Sequence, residues 1–460
     1  MSQPIAEQQL PLPPGPDGIP FLGILPQIAG NALDTFVEIG QRYGPVASLQ
    51  MGPRTMLLAS HPDAVQYILQ QNYRNYGKPY DQVRPLIGNG LVSSEGDFWL
   101  RQRRLMQPMF HRRRVEGFVQ QMGAETAAML ARWEPYANSG EPFDLAAEMM
   151  RLTQQIIATT MFSADVGRQT DLLCDAFTAC LEYLNRTLFI PFDFVHRLPT
   201  PANRRYQEAL ETLDEVVAAL IEGRRALLSR DPESAPDDLL TMLLTAQDAD
   251  SGERMTDTQI RDEVMTIFFA GHETTASALG WAVYLLGRRP DVAARVREEV
   301  ETVLEGEAPT AADVRRLPLT GRVVDETLRL FPPAWMFARL AREDDAVCGY
   351  HIPAGSMVML SPYVTHRDPE FWEQPYRFDP DRFLPERSRE RHRYAYFPFG
   401  GGPRLCIGKD FSLVESVIAL SMMFQKYRFE LLPGHPVEVR AQATLRPQPE
   451  VMVRIKPSSS

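Results

Sequence analysis

FPFGGGPRLCIGKD, Phe397 to Asp410, sets one cysteine, Cys406, behind three consecutive glycines and an arginine, just ahead of a run that reads as a long apolar helix. Glycine tolerates positive φ and carries no side chain, so such a loop can curl close to a flat group or an anion. A phosphate-cradling loop of the G-x-x-x-x-G-K-[ST] kind fails on spacing. Pro403 stands where the first glycine should be relative to Gly408-Lys409, and Asp410 replaces the Ser or Thr. Two readings stay open on the residues alone. One is a buried cysteine used as core filler. The other is a thiolate ligand, whose anionic sulfur a helix start favours through its backbone N–H groups and dipole.

With 460 residues, 44% hydrophobic and 23% charged, the chain can bury a large core, and no Gly-, Ser- or charge-rich linker divides it. One domain over 1–460 is expected, with only the first ten residues and the KPSSS end loose. The net charge of −11 argues against nucleic acid as the main partner. The exception is local: RQRRLMQPMFHRRR, Arg101 to Arg114. Cys174, Cys180, Cys348 and Cys406 make no C-x-x-C pair, which suits a reducing compartment. Ahead of the rigid LPLPPGPDGIP there is neither a signal peptide's apolar core nor a spanning helix. A cytoplasmic protein without a membrane span is expected.

Working outward, VASLQM and TMLLAS flank Gly52-Pro53-Arg54 as two β-type runs around a turn. From Pro62 to Leu304 the pattern is mostly helical. The most informative helix starts at Thr256, where Thr256-x-x-Gln259 makes a capping box, and continues to Arg289 before Pro290. At 1.5 Å per residue it is about 50 Å long, enough to cross a whole domain. Glu263, His272 and Glu273 interrupt its apolar surface, so it reads as a central buried helix. Past Arg342, alternating patterns with Pro-Gly turns return. The fold class is mainly α with small β-sheets.

Phe399-x-x-Gly402-x-Arg404-x-Cys406-x-Gly408 resembles the haem-binding loop of the cytochrome P450 family. The resemblance implies haem b, with Cys406 as axial thiolate on iron, Phe399 packed beside it, Gly402 and Gly408 close to the ring and Arg404 on a propionate. Glu326-Thr-Leu-Arg329, with Pro380-Asp381-Arg382-Phe383 downstream, is similar to the family's structural network of Glu326, Arg329 and Arg382 that locks the cysteine loop. Ala270-Gly-His-Glu-Thr-Thr275 resembles the oxygen-activation segment; on the residues alone, a helix kink relieved by a threonine hydroxyl explains it as well. Trp99-x-x-x-Arg103 and Arg339 match further propionate contacts, although Phe98 stands where many members have histidine.

By this resemblance the chain is a monooxygenase of the P450 fold, its long central helix lying over haem, with Thr274 and Glu273 delivering protons to bound O2. Nothing resembles a flavin or nicotinamide site, so electrons come from a ferredoxin with its reductase or from a flavodoxin. The Arg101 to Arg114 cluster is a docking surface for that acidic partner or an ordinary solvated face. The family's recognition segments place Val92, Ala270, Ala334, Trp335, Met336, Phe337 and Ala443 at the substrate, with Leu184 to Phe194 as part of a lid or as a core helix end. These residues are mostly apolar, so the expected substrate is a fatty acid, terpenoid or similar lipophile. The expected chain is a monomer. A peroxygenase, a haem-binding protein without turnover and a nucleotide-binding protein are the competing readings.

Overall fold

The structure, a computed structural model, describes residues 10–163, 167–187, 198–248 and 252–458. Contacts cluster into two compact units, each built from two stretches: Met1–Pro79 with Leu328–Cys406, and Tyr80–Thr327 with Ile407–Ser460.

The first unit is organised by a five-stranded sheet. The turn expected at Gly52 forms, with φ +61, and lets Val46–Met51 pair antiparallel with Arg54–Ala59. Met357–Leu360 then adds in parallel to Arg54–Ala59, followed by Phe337–Ala341 and Tyr76–Gly77 in antiparallel register. Alternation along the strands sends Leu57, Ala59, Val358 and Leu360 into a buried cluster with Ile68, Leu69, Tyr76 and Phe397. Phe397 opens the cysteine stretch, so that stretch starts from the core of this unit.

The second unit is helical. Its central helix spans Asp257–Arg288, and Thr256 and Gln259 form the reciprocal capping box. Arg289 ends it, and Pro290 begins the next helix, Pro290–Leu304. The central helix is buried on most sides and packs closely on Leu145–Phe162. Gly271 allows that approach: a Cβ there would lie 2.5 Å from Ile157 Cδ1. The helix runs unbroken through this glycine, so helix packing accounts for it without a kink.

The helix after the cysteine, Lys409–Lys426, packs against Val119–Arg132 and Pro290–Leu304. A small sheet sets Met452–Pro457 between Phe143–Asp144 and Tyr427–Leu431 around the fully buried Trp133. A last hairpin pairs Glu438–Ala441 with Leu445–Gln448. The Leu184 to Phe194 segment lies largely outside the described residues. Among the described residues no helix is long and apolar enough to cross a membrane.

Candidate active site

The cysteine loop closes on itself: the Cys406 N–H donates to the Phe399 carbonyl at 3.0 Å. Gly402 sits at φ +63, and a Cβ there would fall 1.9 Å from the Leu69 carbonyl oxygen. Its N–H donates to the Tyr394 hydroxyl at 3.0 Å, which donates to Gln70 Oε1 at 2.9 Å. No other residue fits both the backbone angle and the space. Arg404 closes the short turn Gly402–Arg404, and Cys406 is exposed. Gly408, in the second unit, is different. Its φ of −84 is ordinary and no atom lies within 4 Å of where a Cβ would project. Neither backbone freedom nor a close contact within the protein therefore explains Gly408.

Behind the loop, still in the first unit, Arg329 is fully buried. It donates to the carbonyls of His366 at 2.9 Å, Pro375 at 2.7 Å and Arg377 at 3.2 Å. Arg382 donates to the carbonyls of Glu373 at 2.9 Å and Arg377 at 3.0 Å, so both guanidinium groups share Arg377. Glu326 is buried one turn before Arg329 on the helix Pro318–Leu330. His366, which the sequence did not single out, completes the support. Burial holds its pKa well below the ordinary histidine value, so the ring is neutral. Its Nε2 accepts the Phe397 N–H at 3.0 Å, which leaves the proton on Nδ1, 3.2 Å from the Arg329 carbonyl. The arginine cluster thus reaches the first residue of the cysteine stretch through one imidazole.

Arg339 is buried, donates to the Ala338 carbonyl at 2.8 Å and lies over the Phe337 ring. Among the expected pocket residues of this unit, Ala334 is exposed and Met336 and Phe337 are half-buried. Trp335 is buried against Phe36, with ring centroids 6.1 Å apart.

In the second unit, the helix Gly96–Met106 buries Trp99 and leaves Arg103 half-buried. Phe98 lies beneath the Arg101 guanidinium, 6.0 Å from ring centroid to charge. The basic cluster is tied inward. Arg101 meets Glu253 at 2.7 Å, Arg104 meets Asp248 at 3.5 Å, Arg112 meets Glu116 at 3.3 Å, and Arg114 meets Asp237. Most of this positive charge is therefore engaged with the protein's own carboxylates.

Val92 follows a loop fastened to the central helix. Asp262 accepts the Asn89 N–H at 2.8 Å, and Glu263 accepts the Leu91 N–H at 3.0 Å and the Gln102 amide at 3.0 Å. The glycines of Gly88-Asn89-Gly90 answer to the same contact. A Cβ on Gly88 would meet the Asp262 carboxylate at 1.9 Å, and one on Gly90 the Thr266 hydroxyl at 2.1 Å.

Ala270, Glu273 and Thr274 share the middle of the central helix. The Thr274 hydroxyl donates to the Ala270 carbonyl at 2.8 Å, the back-bond expected of a helical threonine, and its lone pairs remain to accept. His272 points into the core, against the Phe177 ring and the Phe268 carbonyl; burial lowers its pKa and keeps it neutral. Glu273 is buried and pairs with Arg446, whose Nε lies 2.6 Å from Oε1, while the Thr444 hydroxyl bonds the same oxygen. Neither partner was visible as such in the sequence, since both lie in the last hairpin. Ala443 occupies the turn of that hairpin, immediately before Thr444.

The cysteine in its closed loop, with Arg404 and Arg339 in the same unit, is a donor set whose chemistry fits haem: soft sulfur for iron, and guanidinium groups for carboxylates. Comparison with known proteins agrees. The family model described as Cytochrome P450 matches residues 13–455. The chain is 38% identical over 441 residues to cyclooctatin synthase of Streptomyces melanosporofaciens, covering 95% of this chain and 94% of that one. It is 36% identical over 433 residues to pentalenene oxygenase of Streptomyces avermitilis, covering 94% of each. The crystal structure of the cytochrome P450DA heme domain superposes with a TM-score of 0.88 at 30% identity, covering 98% of both chains. The chain belongs to the cytochrome P450 family. It is a haem-binding monooxygenase, an oxidoreductase that acts on a lipophilic molecule and O2.

Proposed function

We propose that the protein hydroxylates a terpenoid or a similarly apolar polycycle, using haem b held by Cys406 and electrons from a separate ferredoxin or flavodoxin. The similarity over nearly the whole chain to cyclooctatin synthase and pentalenene oxygenase carries this reading. The apolar Val92, Ala270 and Ala443 support it from the sequence side.

Haem bound through a cysteine thiolate supplies oxygen activation, the sulfur pushing electron density toward O–O cleavage. The residues supply the rest. The closed backbone of the loop from Phe399 to Cys406 would hold the sulfur in place, and Arg404, Arg339, Trp99 and Arg103 would bind and orient the propionates. Thr274 accepts and passes a proton at its hydroxyl oxygen, and Glu273 provides that proton from its carboxyl group.

One observation favours a second reading. Glu273 is engaged with Arg446, and a peroxygenase, fed hydrogen peroxide that brings its own protons, needs no mobile acid. The two readings part on the oxidant that sustains turnover.

The test starts from the reduced, CO-bound spectrum of the purified protein, which should carry the red-shifted Soret band of thiolate ligation and lose it in Cys406→Ser. Adding pentalenene or a fatty acid to the ferric protein should shift the spin state for the matching class alone. Thr274→Ala should then release about tenfold more peroxide per NADPH while keeping the CO band. An unshifted CO band removes the mechanism; an unchanged peroxide yield removes the role of Thr274.

A further inference from the structure

Two hydroxyl groups of the helical unit are buried with nothing to bond. Thr266 is 1% exposed and Ser94 is fully buried, and among the described residues neither hydroxyl oxygen has a hydrogen-bond partner. Each has close controls in the same molecule. Thr126, Thr153, Thr160 and Thr327, equally buried in their helices, donate to the carbonyl four residues back, and so does Thr274 on the central helix itself. Thr266 does not. Ser93, next to Ser94, closes its hydroxyl on the Gly88 carbonyl at 2.8 Å and the Gly90 carbonyl at 3.2 Å. A buried polar atom left unpaired costs stability that valine or alanine in its place would avoid, so two of them call for an outside partner.

Their placement says what that partner is. Thr266, Ala270 and Thr274 are spaced by four, one stripe of the central helix. The loop that carries Ser94 is tied to this helix through the Asn89 and Leu91 N–H groups on Asp262 and Glu263. Gly90 lies over Thr266, where a Cβ would crowd the hydroxyl at 2.1 Å, so bare backbone and not a side chain covers that oxygen. Val92, between Gly90 and Ser94 in the chain, is one of the residues that the family resemblance sets at the substrate. Thr266 thus begins a stripe that continues through Ala270 to Thr274. The eight residues between its ends span about 12 Å along the helix axis.

We propose that Thr266 and Ser94 are the polar end of the substrate site and bind a hydroxyl or carbonyl oxygen that the substrate already carries. The inference rests on the reading in which Val92, Ala270 and Thr274 line that site, and it narrows the proposed substrate from a terpene hydrocarbon to a terpenoid oxygenated once before. Each hydroxyl can donate or accept, so a substrate hydroxyl is met by one of each and a carbonyl by two donors. A span of about 12 Å suits a diterpene skeleton held lengthwise, with the new hydroxyl entering at the end remote from the old oxygen. Such a substrate comes from a cyclisation quenched by water or from an earlier hydroxylation. Thr266 and Ser94 set specificity in this scheme; they meet the old oxygen and not the reacting carbon.

The experiment titrates the spin state of haem-loaded wild type, Thr266→Val, Ser94→Ala and the double variant with abietadiene and with its primary alcohol, abietadienol. Wild type should bind the alcohol about tenfold or more tightly than the hydrocarbon. Each single variant should lose about two- to tenfold of that preference, the worth of one hydrogen bond, and keep its affinity for the hydrocarbon. Dodecane and 1-dodecanol repeat the comparison outside the terpenoids. Urea midpoints of the ligand-free variants should match or exceed wild type, because no bond inside the protein is lost; a clear fall in both would overturn the proposal. Equal affinities within both pairs, or a preference that the variants leave intact, would overturn it too, the hydroxyls then holding an ordered water only. If the preference for dodecanol falls in the variants while neither diterpene moves the spin state, the oxygen site stands and the terpenoid reading falls.

Discussion

The cysteine loop and the acid of the central helix are held by different physics. Gly402 is fixed by exclusion: a left-handed backbone and a carbonyl oxygen 1.9 Å from where any Cβ would go. Glu273 is fixed by attraction, to the Arg446 guanidinium and the Thr444 hydroxyl. Steric exclusion has no alternative partner, so the loop has one geometry. Polar contacts depend on their partners, so the acid's position depends on Arg446 and Thr444.

The largest expected effect comes from testing exclusion directly. Gly402→Ala forces a Cβ into the Leu69 carbonyl at positive φ and should cost about 3 kcal/mol or more of stability, with loss of haem loading. Gly408→Ala, a few residues on, meets no atom within 4 Å and has φ −84. It should cost at most about 1 kcal/mol, the difference between Gly and Ala at a helix N-cap. Urea melts with and without added haem separate the two. Equal losses in the haem-free protein would show that the contrast between these glycines is not steric.

Gly271→Ala should have a smaller effect. The new Cβ meets only the tip of Ile157, a side chain that can turn, at 2.5 Å. Overpacking of roughly 1–3 kcal/mol is offset by about 1 kcal/mol of helix propensity, leaving a net loss of roughly 0–2 kcal/mol. Ile157→Val in the same chain should recover most of it. If activity falls far more than stability and Ile157→Val does not restore it, Gly271 serves the oxygen site and not only the helix contact.

Features built from neighbours in the chain were legible in the sequence. The hairpin at Gly52, the capping box at Thr256 and the loop from Phe399 to Cys406 each close between residues a few positions apart, so spacing carries their geometry. The Glu273 clamp spans 171 and 173 residues, and the His366 bridge to Phe397 spans 31. No local pattern encodes either. Gly271 was legible as an anomaly but not in its cause, because Ile157 belongs to another helix. The arginine cluster was legible in its charge but not in its partners: the carboxylates of Asp237, Asp248 and Glu253 that engage it lie far along the chain.

A pH-dependent effect sharpens the comparison within one unit, between a buried carboxyl with a cation and one without. Glu415, on the helix after the cysteine, is buried, and among the described residues no donor reaches either oxygen. Burial alone raises its pKa well above the ordinary 4.5. The native state therefore keeps the proton over a range in which the unfolded chain has lost it. Because the folded form then binds more protons, stability should fall as pH rises above about 4.5, by at most about 1.4 kcal/mol per unit. Glu415→Gln keeps the shape and removes the titration, so its urea midpoint should gain on wild type as the pH rises above about 5. Parallel midpoints across that range would mean that the carboxyl finds a partner in solution and is as well satisfied as Glu273.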